Sequence, residues 1–286
     1  MREFNFELDG QWIHGVKWGA PDRQLIICLH GLTNNALGFI EMAEELEKNY
    51  HIIAFDLPGH GQTAPFAKEE DYGFTILSAW LDKVVSSISN RPFLLIGHSW
   101  GAALALHYTN HYHHKVKGIV MIDGGYVQPS DGSTTLQTHL ERVTNWVTEN
   151  QFNRIEEYEE KKKGEIGRWS EGIKCMVHAD MIQDGNRVKM RSDEGTVRAI
   201  MKALYTEPFR DILSEIHAPV YLLRATLPEE EERIRLNATD LLRMNLKGDC
   251  RIQAVPQAGH VLHWQNPEDV ILSVNGWLNG QKTTSI

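Results

Sequence analysis

Residues 93–101 read Phe-Leu-Leu-Ile-Gly-His-Ser-Trp-Gly, and no other segment says as much about the fold. An apolar run leads into the pentapeptide Gly97-His98-Ser99-Trp100-Gly101, and a helix-like segment at 102–109 follows directly. A serine between a strand and a helix occupies a strained turn, and small residues two positions before and after it let the two elements approach. The simpler interpretation is a glycine-rich turn with an incidental serine. The surrounding strand and helix signals favour a serine nucleophile.

Short apolar segments occur on both sides of this stretch. They lie at 25–29 and 51–55 before it and at 116–122, 220–223 and 251–255 after it. Segments of this length and composition are typical of strands that are covered on both faces of a parallel sheet. We therefore expect these strands to form a mostly parallel, doubly wound sheet, which is an α/β fold.

The intervening segments carry other signals. Apolar residues recur at helical spacing in 39–48, 74–88 and 267–278, which predicts amphipathic helices. Residues 4–8 and 11–18 instead alternate around the turn Asp9-Gly10, a pattern that indicates an N-terminal antiparallel hairpin.

A stretch of 92 residues, 126–217, separates two of the predicted strands. A connection this long must carry structure of its own. We interpret it as an inserted helical cap (lid), so that residues 1–125 and 218–286 form the core domain. Its charged tract at 156–163 is expected to be a solvated helix face. Its large apolar residues either roof a substrate pocket or form the cap's own core; they are Trp146, Phe152, Trp169, Met176 and Met181.

Composition narrows the classes of partner. The chain has 286 residues, is 42% hydrophobic and has 29 basic against 38 acidic residues, a net charge of −9. This content supports a large core, and the negative charge argues against nucleic acid or a membrane surface as partner. The three cysteines, Cys28, Cys175 and Cys250, predict free and mostly buried thiols in a reducing compartment. No signal peptide or membrane span is recognisable, so we expect a cytoplasmic protein. We expect it to be a monomer or a homodimer.

A second motif follows the strand predicted at 25–29. Leu29-His30-Gly31-Leu32-Thr33 can form a turn that directs a backbone N–H toward the serine. An oxyanion hole needs two donors, and we assign them to the N–H groups of Leu32 and Trp100. The His30 side chain is expected to be hydrogen-bonded in the core.

These motifs together resemble the α/β-hydrolase fold superfamily, in particular its serine-nucleophile esterases and lipases with a helical cap. The resemblance extends over essentially the whole chain and rests on His30-Gly31, Asp56-Leu57-Pro58-Gly59-His60-Gly61-Gln62-Thr63, the pentapeptide and Ala258-Gly259-His260. It implies that His260 is the general base for Ser99. It also implies that Asp56 and His60 belong to a structural turn beneath the site.

A serine nucleophile and its histidine base need a carboxylate as the third member of a catalytic triad, and the motifs indicate this acid less directly. In much of the family an Asp follows the strand predicted here at 220–223, but residues 224–232 contain none. Some members take the acid from the end of the preceding strand, where this chain has Asp123. Glu229 and Glu230 remain alternatives.

Other histidines are expected to be structural. His111, His113 and His114 cluster at the end of the helix after Ser99 and should be solvated. His263 is expected in the pocket wall or the core. No metal-binding or nucleotide-binding motif is present, so we expect no cofactor.

These residues predict cleavage of a small or medium apolar carboxylic ester through an acyl-enzyme. Thioesterases, lactonases, carbon–carbon bond hydrolases and perhydrolases of this fold share the visible motifs. Epoxide hydrolases and haloalkane dehalogenases use an Asp nucleophile, and Ser99 argues against both. A non-catalytic binding protein of the same fold is the alternative from another class.

Overall fold

A computed structural model describes residues 1–132 and 134–283 of the chain. One sheet of eight strands and one of three account for its β-structure. The strands are β1 (Arg2–Leu8), β2 (Gln11–Trp18), β3 (Gln24–Leu29), β4 (Tyr50–Phe55), β5 (Phe93–His98), β6 (Val116–Ile122), β7 (Gln151–Phe152), β8 (Met181–Asp184), β9 (Arg187–Met190), β10 (Val220–Arg224) and β11 (Cys250–Ala254).

Helices connect most of these strands. They are α1 (Ile40–Leu46), α2 (Phe74–Ser86), α3 (Trp100–His111), α4 (Leu136–Glu149), α5 (Ile155–Ile166), α6 (Glu171–Ala179), α7 (Glu194–Thr206), α8 (Glu232–Asn245), α9 (Leu262–Gln265) and α10 (Pro267–Thr283). The α/β fold expected from the sequence is confirmed, with the ends of the predicted helices moved by a few residues.

The large sheet has the strand order β1-β2-β4-β3-β5-β6-β10-β11. β1 and β2 form the predicted antiparallel hairpin, β2 pairs antiparallel with β4, and the strands from β4 to β11 are parallel to their neighbours. β5 lies near the middle of this order, between β3 and β6. Ligand sites in open parallel sheets form at the carboxyl ends of the strands, so the residues after β5 lie at the centre of that edge.

Both faces of the sheet are covered, which is why its strands read as continuous apolar runs. Leu25, Ile27 and Leu29 of β3 pack into the core on one face, with α2, α3 and α8. Ile26 and Cys28 of the same strand pack on the other face, with α1 and α10. Alternate residues of one strand therefore contribute to two separate cores.

The segment between β6 and β10 carries α4 to α7 and the small sheet. The sequence predicted helices here, and the structure adds the antiparallel strands β7, β9 and β8. The turn Gly185-Asn186, with Gly185 at a φ of 57°, joins β8 to β9. These strands have two to four residues, too few for a clear alternating pattern.

Several polar contacts join this segment to the sheet domain, and two groups of them lie near the loop after β3 and α1. The Arg168 guanidinium donates two hydrogen bonds of 2.8 Å to the two carboxylate oxygens of Glu41 on α1. Asn35, which follows β3, donates through Nδ2 to Oδ1 of the buried Asp180 at 2.7 Å and to the Met176 carbonyl at 2.9 Å. The loop after β3 is thus bonded directly to the inserted segment.

The expectation that the thiols are mostly buried is wrong. Cys28 is buried in the sheet, but Cys250 is only partly covered and Cys175 is exposed on α6. All three are free thiols. Cys175 lies on the solvent side of an amphipathic helix. The expectation of burial was wrong here because it rested on residue type alone, and cysteine is usually buried. Within residues 1–132 and 134–283, no helix is both long and apolar enough to cross a membrane.

Candidate active site

Ser99 lies at the sharp turn between β5 and α3. Its backbone has φ 53° and ψ −119°, a conformation that costs energy for any residue other than glycine. Its N–H donates to the Ile122 carbonyl at 3.0 Å, which ties the turn to the end of the neighbouring strand β6. The predicted turn is therefore present, and it places the Ser99 side chain above the carboxyl edge of the sheet.

Glycines let three chain segments meet at this turn. A Cβ on Gly101 would lie 2.1 Å from the Leu29 carbonyl oxygen, and one on Gly124 would lie 2.3 Å from the Ser99 carbonyl oxygen. Neither distance is possible for a real side chain. The Gly101 requirement was visible in the pentapeptide, whereas the Gly124 requirement arises only when β6 packs beside the turn.

His260 follows β11 and precedes α9. Its Nε2 lies 2.8 Å from the Ser99 Oγ, a hydrogen-bond distance suited to proton transfer from the hydroxyl. The two residues are 161 positions apart in the chain. Folding of the parallel sheet brings them together because β5 and β11 end at the same edge.

Asp123 completes the constellation at the end of β6. Its Oδ2 accepts a hydrogen bond of 2.8 Å from Nδ1 of His260. Its Oδ1 accepts from the Ala225 N–H at 2.8 Å and from the Tyr126 hydroxyl at 2.7 Å. With Nδ1 carrying the proton, Nε2 is left as the acceptor that a general base needs.

The Asp123 carboxylate is buried but stays ionised. Burial alone would raise its pKa, but the hydrogen bond and charge of His260, the Ala225 N–H and the Tyr126 hydroxyl outweigh it. The pKa is consequently lowered below its ordinary value. The sequence did not predict the hydrogen bond from Tyr126 to Asp123. The signal that could have indicated it is the position of Tyr126, three residues after Asp123.

Glu229 and Glu230, the alternative acids, lie in an exposed 3₁₀ turn at Glu229–Glu231. They line the same cavity as Ser99, but the carboxylate that meets Nδ1 of His260 is that of Asp123. At the end of β10, the strand after which much of the family has an Asp, Arg224 is buried and pairs with Glu232 through two bonds of 2.8 Å. The β10 end thus provides a backbone donor to Asp123 instead of a carboxylate.

The two proposed oxyanion donors border the same cavity. Leu32 and Trp100 line it together with Ser99. A Cβ on Gly31 would lie 3.1 Å from the Ser99 Cβ, so the loop that carries Leu32 packs directly against the nucleophile turn. Among the hydrogen bonds of residues 1–132 and 134–283, neither the Leu32 nor the Trp100 N–H has a protein acceptor.

The predicted structural histidines are buried in hydrogen-bonded or stacked positions. His30 accepts from the Leu57 N–H at 2.9 Å through Nε2 and donates to the Gly31 carbonyl at 2.8 Å through Nδ1. The ring of His60 packs against those of His30 and Trp100, which also contact each other. Burial is the main cause that lowers the pKa of His30, and it lowers that of His60 to about 3, so both rings are neutral.

The carboxylate of Asp56 organises the turn below the site. Its Oδ1 accepts from the Ala36 N–H at 2.8 Å, and its Oδ2 accepts from the Gln62 N–H at 2.8 Å and from His14 Nδ1 at 2.7 Å. Asp56 therefore joins the loops after β3 and β4, as expected for a structural residue.

The other histidines for which the sequence made a prediction agree with it. His263 is buried beside Phe39 and His98, and burial followed by the neighbouring His260 lowers its pKa to about 3. His111 ends α3, and it is exposed together with His113 and His114, which follow the helix.

A cavity of about 1090 Å³ opens at Ser99. Its apolar lining comes from the loop after β3, from α3, from the loop after β6, and from α7 and the turn that follows it; it includes Leu32, Ala103, Val127, Met201, Leu204 and Phe209. The five large residues considered as a roof lie elsewhere. Trp146, Phe152, Trp169, Met176 and Met181 belong to a separate apolar cluster, which the segment between β6 and β10 forms together with Leu37, Val261 and Trp264 from the rest of the chain. Within the described part of the chain, no group of three or more His, Cys, Asp or Glu side chains could hold a metal ion.

The site combines a strained serine at the end of a central parallel strand with a histidine and an aspartate that follow later strands. The three side chains are hydrogen-bonded in series. This combination is characteristic of the nucleophile-elbow class of α/β proteins. A family model places the chain within that class. The chain belongs to the α/β-hydrolase fold family, whose model matches residues 24–267.

Individual relatives are distant. The 2-succinyl-6-hydroxy-2,4-cyclohexadiene-1-carboxylate synthase of Escherichia coli O157:H7 is 23% identical over 259 residues, 91% of this chain and 95% of that protein. A serine hydrolase-like protein of Danio rerio is 28% identical over 121 residues; this match spans 42% of this chain and only 37% of that protein's length. Among solved structures, an E-2-(acetamidomethylene)succinate hydrolase superposes with a TM-score of 0.81 at 18% identity, over 97% of this chain and 99% of that one.

Proposed function

We propose that this protein is a serine hydrolase that cleaves carboxylic esters with Ser99 as nucleophile, His260 as general base and Asp123 as the acid that orients it. The observation that carries the proposal is the pair of 2.8 Å contacts, from Ser99 Oγ to His260 Nε2 and from His260 Nδ1 to Asp123 Oδ2. A serine, an imidazole and a carboxylate in this sequence of contacts is the arrangement that activates a hydroxyl for attack on a carbonyl.

The reaction would proceed through an acyl-enzyme. His260 takes the Ser99 proton while the oxygen adds to the ester carbonyl, and the Leu32 and Trp100 N–H groups stabilise the tetrahedral oxyanion. His260 then protonates the leaving alcohol. Water, deprotonated by the same imidazole, attacks the acyl-serine and releases the acid. The ionised Asp123 stabilises the imidazolium that forms in each half-reaction.

The cavity supports an apolar acyl or alcohol group of small or medium size. Its volume of about 1090 Å³ exceeds what a short acyl chain fills, and apolar side chains from α3, α7 and the loop after β6 line it. A polar side of the cavity is formed by Glu229, Glu230 and Arg142, which can remain in water while the apolar part of a substrate is buried.

Thioesters, lactones and carbon–carbon bonds next to a carbonyl remain alternative substrates for the same three residues. The match to the synthase named above covers 91% of this chain, and that relative is named for a synthase reaction and not for ester hydrolysis. A panel of p-nitrophenyl esters, acyl thioesters, lactones and anilides separates these possibilities by their relative kcat/KM.

The first experiment compares wild type with Ser99→Ala on p-nitrophenyl acetate and butyrate. We expect the variant to lose at least about a thousandfold in kcat, because the nucleophile is gone. Ser78→Ala is the control for loss of a serine hydroxyl, since Ser78 is a buried serine on α2, outside the cavity lining. Equal rates for wild type and Ser99→Ala over the whole panel would refute the hydrolase proposal and favour a non-catalytic binding protein.

A further inference from the structure

His98 is the last residue of β5 and directly precedes the nucleophile. Its side chain is buried, and it does not line the cavity into which Ser99 faces. The central position of the G-x-S pattern accepts many residue types, so the motif alone assigns no task to this imidazole.

The His98 ring reaches across to the loop that carries the base. Its Nε2 lies 3.0 Å from the backbone carbonyl oxygen of His260. A carbonyl oxygen can only accept, so Nε2 of His98 carries the proton and donates it. The two imidazole rings are also adjacent, with centroids 5.0 Å apart and planes inclined by 42°.

This contact matters because the His260 side chain is 58% exposed and receives little support from packing. Several backbone contacts hold its loop: the Ala258 carbonyl accepts from the Thr226 and Leu227 N–H groups at 2.9 and 3.0 Å, and the Gly259 N–H donates to Gln265 Oε1 at 2.7 Å. The bond from His98 is the one among these contacts that reaches the backbone of His260 itself, and it originates one residue from Ser99.

The environment keeps the His98 ring in its single-donor form. His98 packs against His263 and Trp264, at centroid distances of 4.5 and 6.0 Å. Burial is the main cause that lowers its pKa well below the ordinary value, and the neighbouring His263 and His260 lower it further. The ring stays neutral at the pH values at which a histidine base operates.

His98 also contacts the loop that precedes the proposed oxyanion donor Leu32. A Cβ on Gly31 would lie 2.7 Å from Nδ1 of His98, so the ring fills the space between the β3 loop and the His260 loop. One side chain therefore touches two of the segments that border the nucleophile.

We propose that His98 is a positioning residue that holds the backbone of His260 so that its imidazole stays at hydrogen-bond distance from the Ser99 hydroxyl. This inference rests on the proposed function, in which His260 is the base. His98 has no contact with substrate in this proposal, so its loss should lower the rate of the chemical step, kcat, and leave substrate binding unchanged.

The test compares three variants at this position. His98→Gln retains an N–H donor at the same reach, because the amide nitrogen of Gln and Nε2 of His are the same number of bonds from Cβ. His98→Asn carries the same amide but is too short to reach the carbonyl, and His98→Met has similar length without a donor. We expect His98→Gln to keep kcat within about threefold, and the other two to lose about 10- to 100-fold, since a small displacement of a catalytic group has effects of this size. KM should change less than about twofold in all three.

Hydrogen exchange of the loop 255–261 provides a readout that does not depend on turnover. We expect faster exchange in His98→Asn and His98→Met than in wild type or His98→Gln. A kcat for His98→Asn or His98→Met within twofold of wild type would overturn the inference, as would a His98→Gln variant no better than His98→Asn. Should either of those two variants fail to fold, the other carries the comparison with His98→Gln.

The two proposals fail separately. If wild type and Ser99→Ala show equal rates on every substrate, the hydrolase proposal fails, and the exchange comparison still decides whether His98 holds the loop. If wild type turns over esters in a Ser99-dependent manner and the His98 variants match it, only the positioning role is refuted.

Discussion

The backbone N–H of Ala225 donates a hydrogen bond of 2.8 Å to Oδ1 of Asp123. Ala225 directly follows β10, the strand after which much of the family places the triad acid. In this protein Asp123, which we propose as the acid, follows the neighbouring strand β6, and the β10 end binds its carboxylate through the main chain. β6 and β10 are adjacent and parallel, so their carboxyl ends lie side by side.

Replacement of the acid should separate the candidates that the sequence left open. Asp123→Asn is expected to lower kcat by about 10³ to 10⁴-fold, since an amide no longer favours the productive tautomer of His260 or stabilises its charged form. Glu230→Gln should leave kcat within about twofold, because Glu230 is exposed and lies outside the contact to Nδ1 of His260. Steady-state kinetics on one ester measure both. The reverse order of effects would identify Glu230 as the acid.

Loss of the Tyr126 hydroxyl should weaken the site without abolishing it. Tyr126→Phe removes the 2.7 Å bond to Asp123, one of the contacts that lower the carboxylate's pKa. We expect kcat to fall about 3- to 10-fold, in keeping with one lost bond to a charged group when other partners remain. Tyr112→Phe, at the far end of α3, serves as control and should match wild type. A Tyr126→Phe variant with wild-type kcat would show that Ala225 and His260 suffice to hold the acid.

A methyl group on Gly31 should disturb the oxyanion loop. In Gly31→Ala the new Cβ would meet His98 Nδ1 at 2.7 Å and the Ser99 Cβ at 3.1 Å, so the loop that carries Leu32 has to move. We expect kcat to fall by about 10²-fold, as when one oxyanion donor is lost. Gly164→Ala on α5 is the matched control: its Cβ would meet nothing within 4 Å.

The control variant should keep wild-type kcat and raise the melting temperature slightly, because alanine favours a helix over glycine. Equal kcat values for the two alanine variants would contradict the assignment of the Gly31–Leu32 segment to the oxyanion hole.

Stability should decline with pH because of Asp180. Burial is the main cause that raises the pKa of this carboxyl, to about 7, from an ordinary value of 3.8. Between these two values the folded chain holds a proton that the unfolded chain has released, so the free energy of unfolding falls as pH rises, by at most about 1.4 kcal/mol per pH unit. The stabilising effect is complete below about pH 4 and is lost as pH rises through 7.

Asp180→Asn removes this dependence while retaining an oxygen that can accept from Asn35. Its melting temperature relative to wild type should therefore be more favourable at pH 8.5 than at pH 5. The exposed Asp22→Asn serves as control and should show no such difference. A constant offset between Asp180→Asn and wild type at both pH values would mean that Asp180 is ionised throughout.

Much of the architecture was predictable from local patterns. The apolar runs of β3, β4, β5, β6 and β10 identify strands because both faces of the sheet are covered. The helical spacing in α2 and α10 identifies helices because only one side of each packs on the sheet. The β8–β9 hairpin and the exposure of Cys175 were not predictable, since a four-residue strand and a single cysteine carry too little periodic signal.

Local patterns identify most strands and helices of the large sheet, together with the order of the chemical groups: a serine flanked by glycines after one apolar run, and a histidine after the last one. Long-range packing selects the carboxylate that meets that histidine, the contacts of the large apolar residues within 126–217, and the bond from His98 to the His260 loop. Strands and turns depend on neighbours in the chain, whose spacing the sequence displays directly. Contacts such as Asp123 with His260, 137 positions apart, depend on the packing of parallel strands at one edge, which no local pattern encodes.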